Sequence, residues 1–372
     1  MQTLKAFRGS IAITILTLAL IGIFTGSVAL VITTIVLAIL EVTLSFDNAV
    51  VNAKYLKKMS PLWQKLFLTV GILIAVFGMR LVVPIVNVAV TANLGLTEVI
   101  HLALNDGAKY ALELEGAKPA IYSFGGVFLL MIFLDWLFEE KKIKWLTPLE
   151  AALERLGKLD QLSVVIAGLL VLAGSAVVPA TEAKTVLLSG LIGLVIYLVV
   201  SGLDSFFEVD DEEEDVLPTG GAGAGSAAAL VGKAGFATFM YLEVLDASFS
   251  FDGVIGAFAI TTNVLVIAAG LGIGAVFVRS MTVYLVRQGT LAQYRYLEHG
   301  AHWAIGALAV ILLLELKFHI PEAVTGLLGL GFIGAAYTSS LMANRADRAA
   351  LAADAGDPDG AGTPRDSTPA PV

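Results

Sequence analysis

Apolar runs long enough to cross a bilayer recur along the chain, separated by short polar stretches. A helical span needs about 20 such residues. The candidates are 11–24, 28–53, 64–88, 119–138, 161–178, 185–206, 233–260, 264–286, 298–316 and 321–343. The pattern predicts an all-α fold, a polytopic transmembrane helix bundle of about nine or ten spans. The first run is short, with Lys5 and Arg8 before it and Thr25-Gly26-Ser27 after it, as in a secretory signal. The next run begins at once, so a retained anchor is expected.

Three segments fall outside the spans. Residues 92–118 carry Glu98, Asp106, Glu113 and Glu115 among apolar positions, which predicts an amphipathic segment on the outer surface. Residues 207–232 hold an acidic run, Glu208 to Asp215, and then Gly220-Gly221-Ala222-Gly223-Ala224-Gly225. That composition predicts a flexible cytoplasmic linker. It is no phosphate loop, because no Lys-Ser/Thr ends the glycine run. Residues 345–372, rich in Ala, Asp, Gly and Pro, predict a disordered cytoplasmic tail. The division expected is a first transmembrane half over 1–206, the linker over 207–232, a second half over 233–344, and the tail.

Composition narrows the function. Of 372 residues 57% are hydrophobic and 15% charged, against roughly 25% charged in a soluble domain. Lipid is therefore the expected solvent. A net charge of −9 argues against a nucleic-acid partner. The chain has no cysteine, and His101, His299, His302 and His319 are scattered in sequence, so a metal site would rest mainly on oxygen ligands. No His-Glu-x-x-His, no Gly-x-Gly-Asp and no nucleotide-binding motif is present, so neither an enzyme nor a resident cofactor is expected. No protein partner is readable.

The basic residues orient the bundle. With the N-terminus inside, seventeen Lys and Arg fall on the cytoplasmic side and four, Lys109, Lys118, Lys184 and Lys317, outside. Arg80 and Arg279 lie within spans. This bias predicts a multi-pass protein of the cell membrane with both termini cytoplasmic.

A motif then repeats. Glu41-Val-Thr-Leu-Ser-Phe-Asp47-Asn48 returns 205 positions later as Asp246-Ala-Ser-Phe-Ser250-Phe-Asp252-Gly253. Ala75-Val76-Phe77 before Arg80 returns as Ala275-Val276-Phe277 before Arg279, and Gly126 with Asp135 returns as Gly306 with Glu315. Spans 2–4, within residues 28–138, thus recur as spans 7–9. Five spans separate the copies, an odd number, so the repeat is inverted, as in many secondary transporters.

The predicted placement puts Glu41 and Asp246 at the midplane, with Asp47 and Asp252 stepping towards opposite faces. Carboxylates at that depth need a partner or a task, since each charge costs at least about 2.5 kcal/mol. Glu41, Asp47, Asp135, Glu243, Asp246, Asp252 and Glu315 lie in or beside spans, and only Arg80 and Arg279 answer them. On a helical wheel Glu41, Ser45 and Asn48 share a face, as do Asp246, Ser250 and Gly253. Asp47 and Asp252 sit about 120° away on an unbroken helix. Either the helix breaks near Ser-Phe, or the two acids of each copy serve different neighbours.

These residues resemble the TerC family of integral membrane proteins, part of a wider group of LysE-like and cation exporters. The resemblance lies in Glu41 to Asn48, in Asp246 to Asp252 running into Ala257-Phe258-Ala259-Ile260-Thr261, in Arg279, and in His319-Ile320-Pro321. It implies a role in divalent metal homeostasis, most often manganese export, with Glu41, Asp47, Asn48, Asp246 and Asp252 as the matching positions. The shorter loop after Thr261 and the 92–118 and linker segments depart from the family pattern.

The expected function is export of a hard divalent cation, manganese first. Glu41, Asp47, Asn48, Asp246, Ser250 and Asp252 would be its oxygen ligands, with Arg80, Arg279, Asp135 and Glu315 as charge partners. The alternative is a membrane scaffold or assembly factor that uses the same acids to pack helices.

Overall fold

The structure, a computed structural model, describes residues 7–159, 161–214, 224–288 and 293–355. Helices account for nearly all of them, with no strand among the described residues. In chain order they are α1 (Arg8–Thr25), α2 (Val28–Leu44), α3 (Phe46–Lys58), α4 (Pro61–Leu73), a π-helical stretch (Ile74–Val82), α5 (Val83–Thr91) and α6 (Leu96–Asn105). There follow α7 (Gly107–Phe138), α8 (Thr147–Leu156), α9 (Leu162–Val177), α10 (Ala180–Glu214), α11 (Ala224–Ile260), α12 (Val264–Gln288), α13 (Leu297–Leu314) and α14 (Glu322–Ala355). The protein is an all-α, multi-pass membrane bundle.

Seven helices among the described residues are long and apolar enough to cross a bilayer, and the pair α2 and α3, bent by 58°, makes an eighth if it is one span. The count is below the nine or ten expected for two reasons. Helix α9 has 16 residues and falls short. Helix α11 is long enough, but it carries three carboxylates, Glu243, Asp246 and Asp252, within ten residues. A helix lined by protein can carry that polarity where a lipid-facing one cannot.

Polar caps set several of these boundaries. Ser27 accepts from the Leu30 amide at 3.3 Å and opens α2, and Gly26 ends α1 in the left-handed region at φ 59°. Asp106 accepts from the Lys109 amide at 3.1 Å and opens α7. That cap corrects the amphipathic segment expected over 92–118. Only Leu96–Asn105 forms a separate helix, and residues 107–118 are the first turns of the span. Tyr110, Leu114, Ala117 and Ile121 bury one stripe of those turns, so Glu113 and Glu115 need not interrupt it.

Two further expectations change. The linker over 207–232 is helical up to Glu214 and again from Ala224, with 215–223 outside the described residues. The tail expected to be disordered from 345 stays helical to Ala355. Glutamate and alanine are good helix formers, and each run extends a helix already nucleated.

Glycines fix how the central helices meet. A β-carbon on Gly270 would stand 2.5 Å from Leu37 Cβ and 2.9 Å from the Thr34 carbonyl. One on Gly274 would stand 2.5 Å from Glu41 Cβ and 3.1 Å from the Ala38 carbonyl. The contacts advance together along both chains, so α2 and α12 run parallel. Their close approach rests on a Gly-x-x-x-Gly face. Gly274→Leu is expected to force the helices apart and to cost about 1–3 kcal/mol or more. Thermal unfolding of the detergent-purified variant checks this, and an unchanged midpoint would contradict it.

Candidate functional site

The repeated motifs meet at the centre of the bundle. The Asn48 amide donates to Asp246 Oδ1 at 2.6 Å. A β-carbon on Gly253 would stand 2.7 Å from Glu41 Oε2. Glu41 and Asp246 are equivalent positions of the repeat, and so are Asn48 and Gly253. Each copy therefore presents its 48/253 position to the other copy's carboxylate. One residue number rises as its partner's falls, so the two motif helices cross antiparallel. Further along, the Tyr55 and Tyr241 hydroxyls lie 3.1 Å apart, in the same antiparallel sense.

The third repeated element does the same. A β-carbon on Gly126 would lie 3.1 Å from Leu313, and one on Gly306 would lie 2.7 Å from Phe133. Gly126 corresponds to Gly306 and Phe133 to Leu313 at one common spacing of 180 positions. These reciprocal contacts relate α7 to α13, and the α2–α3 motif to α11, by a pseudo-two-fold.

The chain breaks between α2 and α3 at Ser45, near the Ser-Phe step of the first copy. In the second copy the motif lies within the unbroken α11. The second elements of the repeat differ as well. The spacing from Phe77 to Arg80 is one residue longer than from Phe277 to Arg279. The π-helical stretch takes up that extra residue, while α12 stays regular.

Both arginines turn inward. Arg80 Nη2 pairs with Glu41 Oε1, and Arg80 Nη1 donates to the Ala75 carbonyl at 2.6 Å. The Ser45 hydroxyl donates to the same Glu41 oxygen at 3.0 Å. Arg279 Nη2 donates to Glu243 Oε1 at 3.2 Å and to the Gly71 carbonyl at 3.3 Å, and lies 3.5 Å from Asp246 Oδ2. Its Nη1 donates to the Phe67 carbonyl at 3.0 Å, and its guanidinium stacks 3.7 Å above the Phe67 ring. None of these five charged residues is more than 5% exposed.

The halves differ in charge. Glu41 and Arg80 balance one for one, whereas Glu243 and Asp246 share one guanidinium. They differ in length too. Ser45 reaches Glu41, but its equivalent Ser250 has a buried hydroxyl with no hydrogen-bond partner among the described residues. Aspartate is one methylene shorter than glutamate, and Asp246 is already turned to Asn48 and Arg279. Sequence reading left Glu243 out of the site because its counterpart in the first copy is Ala38, so the repeat gives no hint of it.

Of the expected ligands, Asn48 reaches Asp246 and Glu41 reaches Gly253 at this crossing, and Ser250 lies buried one helical turn from Asp246. The side chains of Asp47 and Asp252 lie outside the described residues. Among the described residues no three of His, Cys, Asp and Glu gather as a metal-binding group. Asp135 and Glu315 have described partners elsewhere. Asp135 is exposed and accepts from the Tyr197 hydroxyl at 2.6 Å. Glu315 accepts from the Ile320 amide at 3.1 Å. Both stand near helix ends, where water and loop amides are within reach. Nor are all the histidines scattered in space. His299 and His302 flank Trp136, with ring centroids 5.4 and 4.6 Å from it, and the buried Glu150 lies 3.6 Å from His299.

The sequence profile of a family described as a protein of unknown function, DUF475, matches residues 46–347. No curated protein and no solved structure matches the chain. The match takes in most of the chain, including Asn48, Asp246 and both arginines, with Glu41 just before it: the chain belongs to the DUF475 family.

Proposed function

We propose that this protein is a secondary transporter that exports a hard divalent cation, manganese first, across the cell membrane through the carboxylates where its two repeats cross. The observation that carries the reading is the reciprocal antiparallel crossing, which buries Glu41 and Asp246 against the opposite copy at the bundle centre. Inverted repeats that meet at a charged midplane suit alternating access, because rocking one copy against the other exposes the same site to either side. The ligand chemistry fits a hard ion, being carboxylate, amide and hydroxyl oxygen. The resemblance to TerC points the same way, and the basic bias supports a cytoplasmic position for both termini.

Charge supports a cation. Glu41, Asp47, Glu243, Asp246 and Asp252 set five carboxylates against Arg80 and Arg279. Fully ionised, they leave an excess of three negative charges. A divalent cation with one proton would neutralise them. The second reading, a scaffold, draws on the same ion pairs, since Arg80 and Arg279 are joined to acids as structural glue would be.

Cellular metal content separates the two. Cells making the wild type, Asp47→Asn or Asp252→Asn at matched membrane abundance are challenged with manganese, calcium or magnesium. Wild type is expected to lower the content of one metal, manganese first, and both variants to lose most of that effect. A neutral amide is easier to bury than a carboxylate, so insertion should survive, while Coulomb attraction for a divalent ion falls. Equal content of all three metals with and without the wild type would favour the scaffold.

A further inference from the structure

The central acids connect to one end of the bundle by a line of polar groups, interrupted by the ring of Phe128, that packing alone does not explain. It starts at a cleft of about 490 Å³ between α7, α9 and α10, bounded by Asp135, Glu139, Ser163, Tyr197 and Ser201. Tyr197 stands at its inner wall, bonded to Asp135. The Phe128 ring packs behind, 5.7 Å from Tyr197 and 6.4 Å from Tyr241. Tyr241 meets Tyr55 with ring centroids 4.8 Å apart and hydroxyls 3.1 Å apart. Along α3 from Tyr55 come Asn52 and Asn48, at the spacing of one helical face. Asn48 reaches Asp246.

Asn52 is the telling member. It is 0% exposed, and neither its amide nitrogen nor its oxygen has a hydrogen-bond partner among the described residues. A buried polar group left unpaired costs about 1–3 kcal/mol. An alanine or leucine would pack there without that cost, as its neighbours Val51 and Ala53 do. Water or a cation passing the amide would satisfy it. The end of the bundle is also defined. Tyr55 lies among Lys54, Lys57 and Lys58, and Asp135 is followed by Lys141, Lys142 and Lys144. This is the basic end, the cytoplasmic side by the charge bias.

We propose that this line is the cytoplasmic access path for a hydrated cation, with the Asp135 cleft as its mouth, the Tyr55–Tyr241 pair as its gate and Asn52 as the first ligand behind the gate. The cargo rests on the transport reading above; the path itself does not. Asp135 and Glu139 concentrate cations at the mouth. The paired tyrosines close the way with their rings and offer oxygen when they part.

The absence of cysteine from the chain makes the test direct, because an introduced thiol is the only one present. Asn52→Cys, Ser250→Cys and Ser201→Cys are made singly in the full-length protein, each with and without Tyr241→Ala. Sealed vesicles of known orientation are treated with a membrane-impermeant cationic methanethiosulfonate. Ser201→Cys, in the cleft, is expected to react quickly from the basic end in both backgrounds. Asn52→Cys and Ser250→Cys, behind the gate, are expected to react slowly with Tyr241 present and at least about tenfold faster without it, as a lowered barrier requires. Ser250→Cys is a near-isosteric change of an unbonded hydroxyl, so it reports even if Asn52→Cys fails to fold. Equal rates with and without Tyr241, or faster reaction from the opposite side, would overturn the path. Gated labelling in a protein that moves no metal would sink the cargo and leave the path standing. Metal transport with ungated labelling would do the reverse.

Discussion

Arg279→Met is expected to deplete folded protein from the membrane more than any other single change at the crossing. The guanidinium serves Glu243, Asp246 and the Phe67 and Gly71 carbonyls, and its flat face covers the Phe67 ring. Methionine keeps much of the volume but leaves two carboxylates buried without a counter-charge. Breaking a buried pair from one side costs about 3–5 kcal/mol, a large part of a typical stability of about 5–15 kcal/mol. The measurements are monodisperse yield and thermal midpoint in detergent. Arg279→Lys should recover only part of the loss, because a single ammonium cannot span four acceptors and a ring. Combining Arg279→Met with Glu243→Gln and Asp246→Asn should recover more, since no charge is then orphaned. Wild-type yield for Arg279→Met would mean that these acids are neutralised by something other than Arg279.

Asp246→Asn is expected to act in the opposite way on stability and just as strongly on function. Glu243 alone balances Arg279, so the substitution removes the excess negative charge of that half. Asn48 keeps an oxygen to donate to. The folded protein should hold its midpoint or gain slightly. Transport should nearly cease, because the crossing loses one of its two repeat-related carboxylates and with it the attraction for a divalent ion. Stability kept with transport lost is a combination that a purely structural role for Asp246 does not produce.

How much of this was legible depends on what each residue had to meet. The acid-x-x-apolar-Ser-Phe-Asp motif and its inverted copy were readable because the same polar residues recur in order. The contacts between Asn48 and Asp246 and between Gly253 and Glu41 then follow from the pseudo-two-fold. Glu243 was not assigned to the site, because Ala38 holds its place in the first copy and only folding brings Arg279 to it. The π-helical stretch left a trace, the longer step from Phe77 to Arg80, whose meaning needs the backbone. Gly270 and Gly274 spelled a helix-packing face that could have been read directly. The span over 233–260 was readable despite Glu243, Asp246 and Asp252, because apolar residues fill most of the remaining positions. Asp135 and Glu315 recur faithfully, yet both stand near helix ends with other partners, so repetition alone did not make them part of the crossing. Asn52 carries no sequence signal, because an asparagine amid apolar residues becomes informative only once its atoms are seen to be unbonded.

The central claim, that a divalent cation passes the crossing of the two repeats, is tested most directly with purified protein in liposomes. An entrapped dye quenched by manganese reports entry after manganese is added outside. Wild-type liposomes should quench far faster than protein-free ones, and Asp246→Asn liposomes, holding the same amount of folded protein, should be close to protein-free. Quenching by wild type no faster than by empty liposomes for manganese, and likewise for calcium and magnesium with matching dyes, would contradict the account, and so would an Asp246→Asn rate equal to wild type.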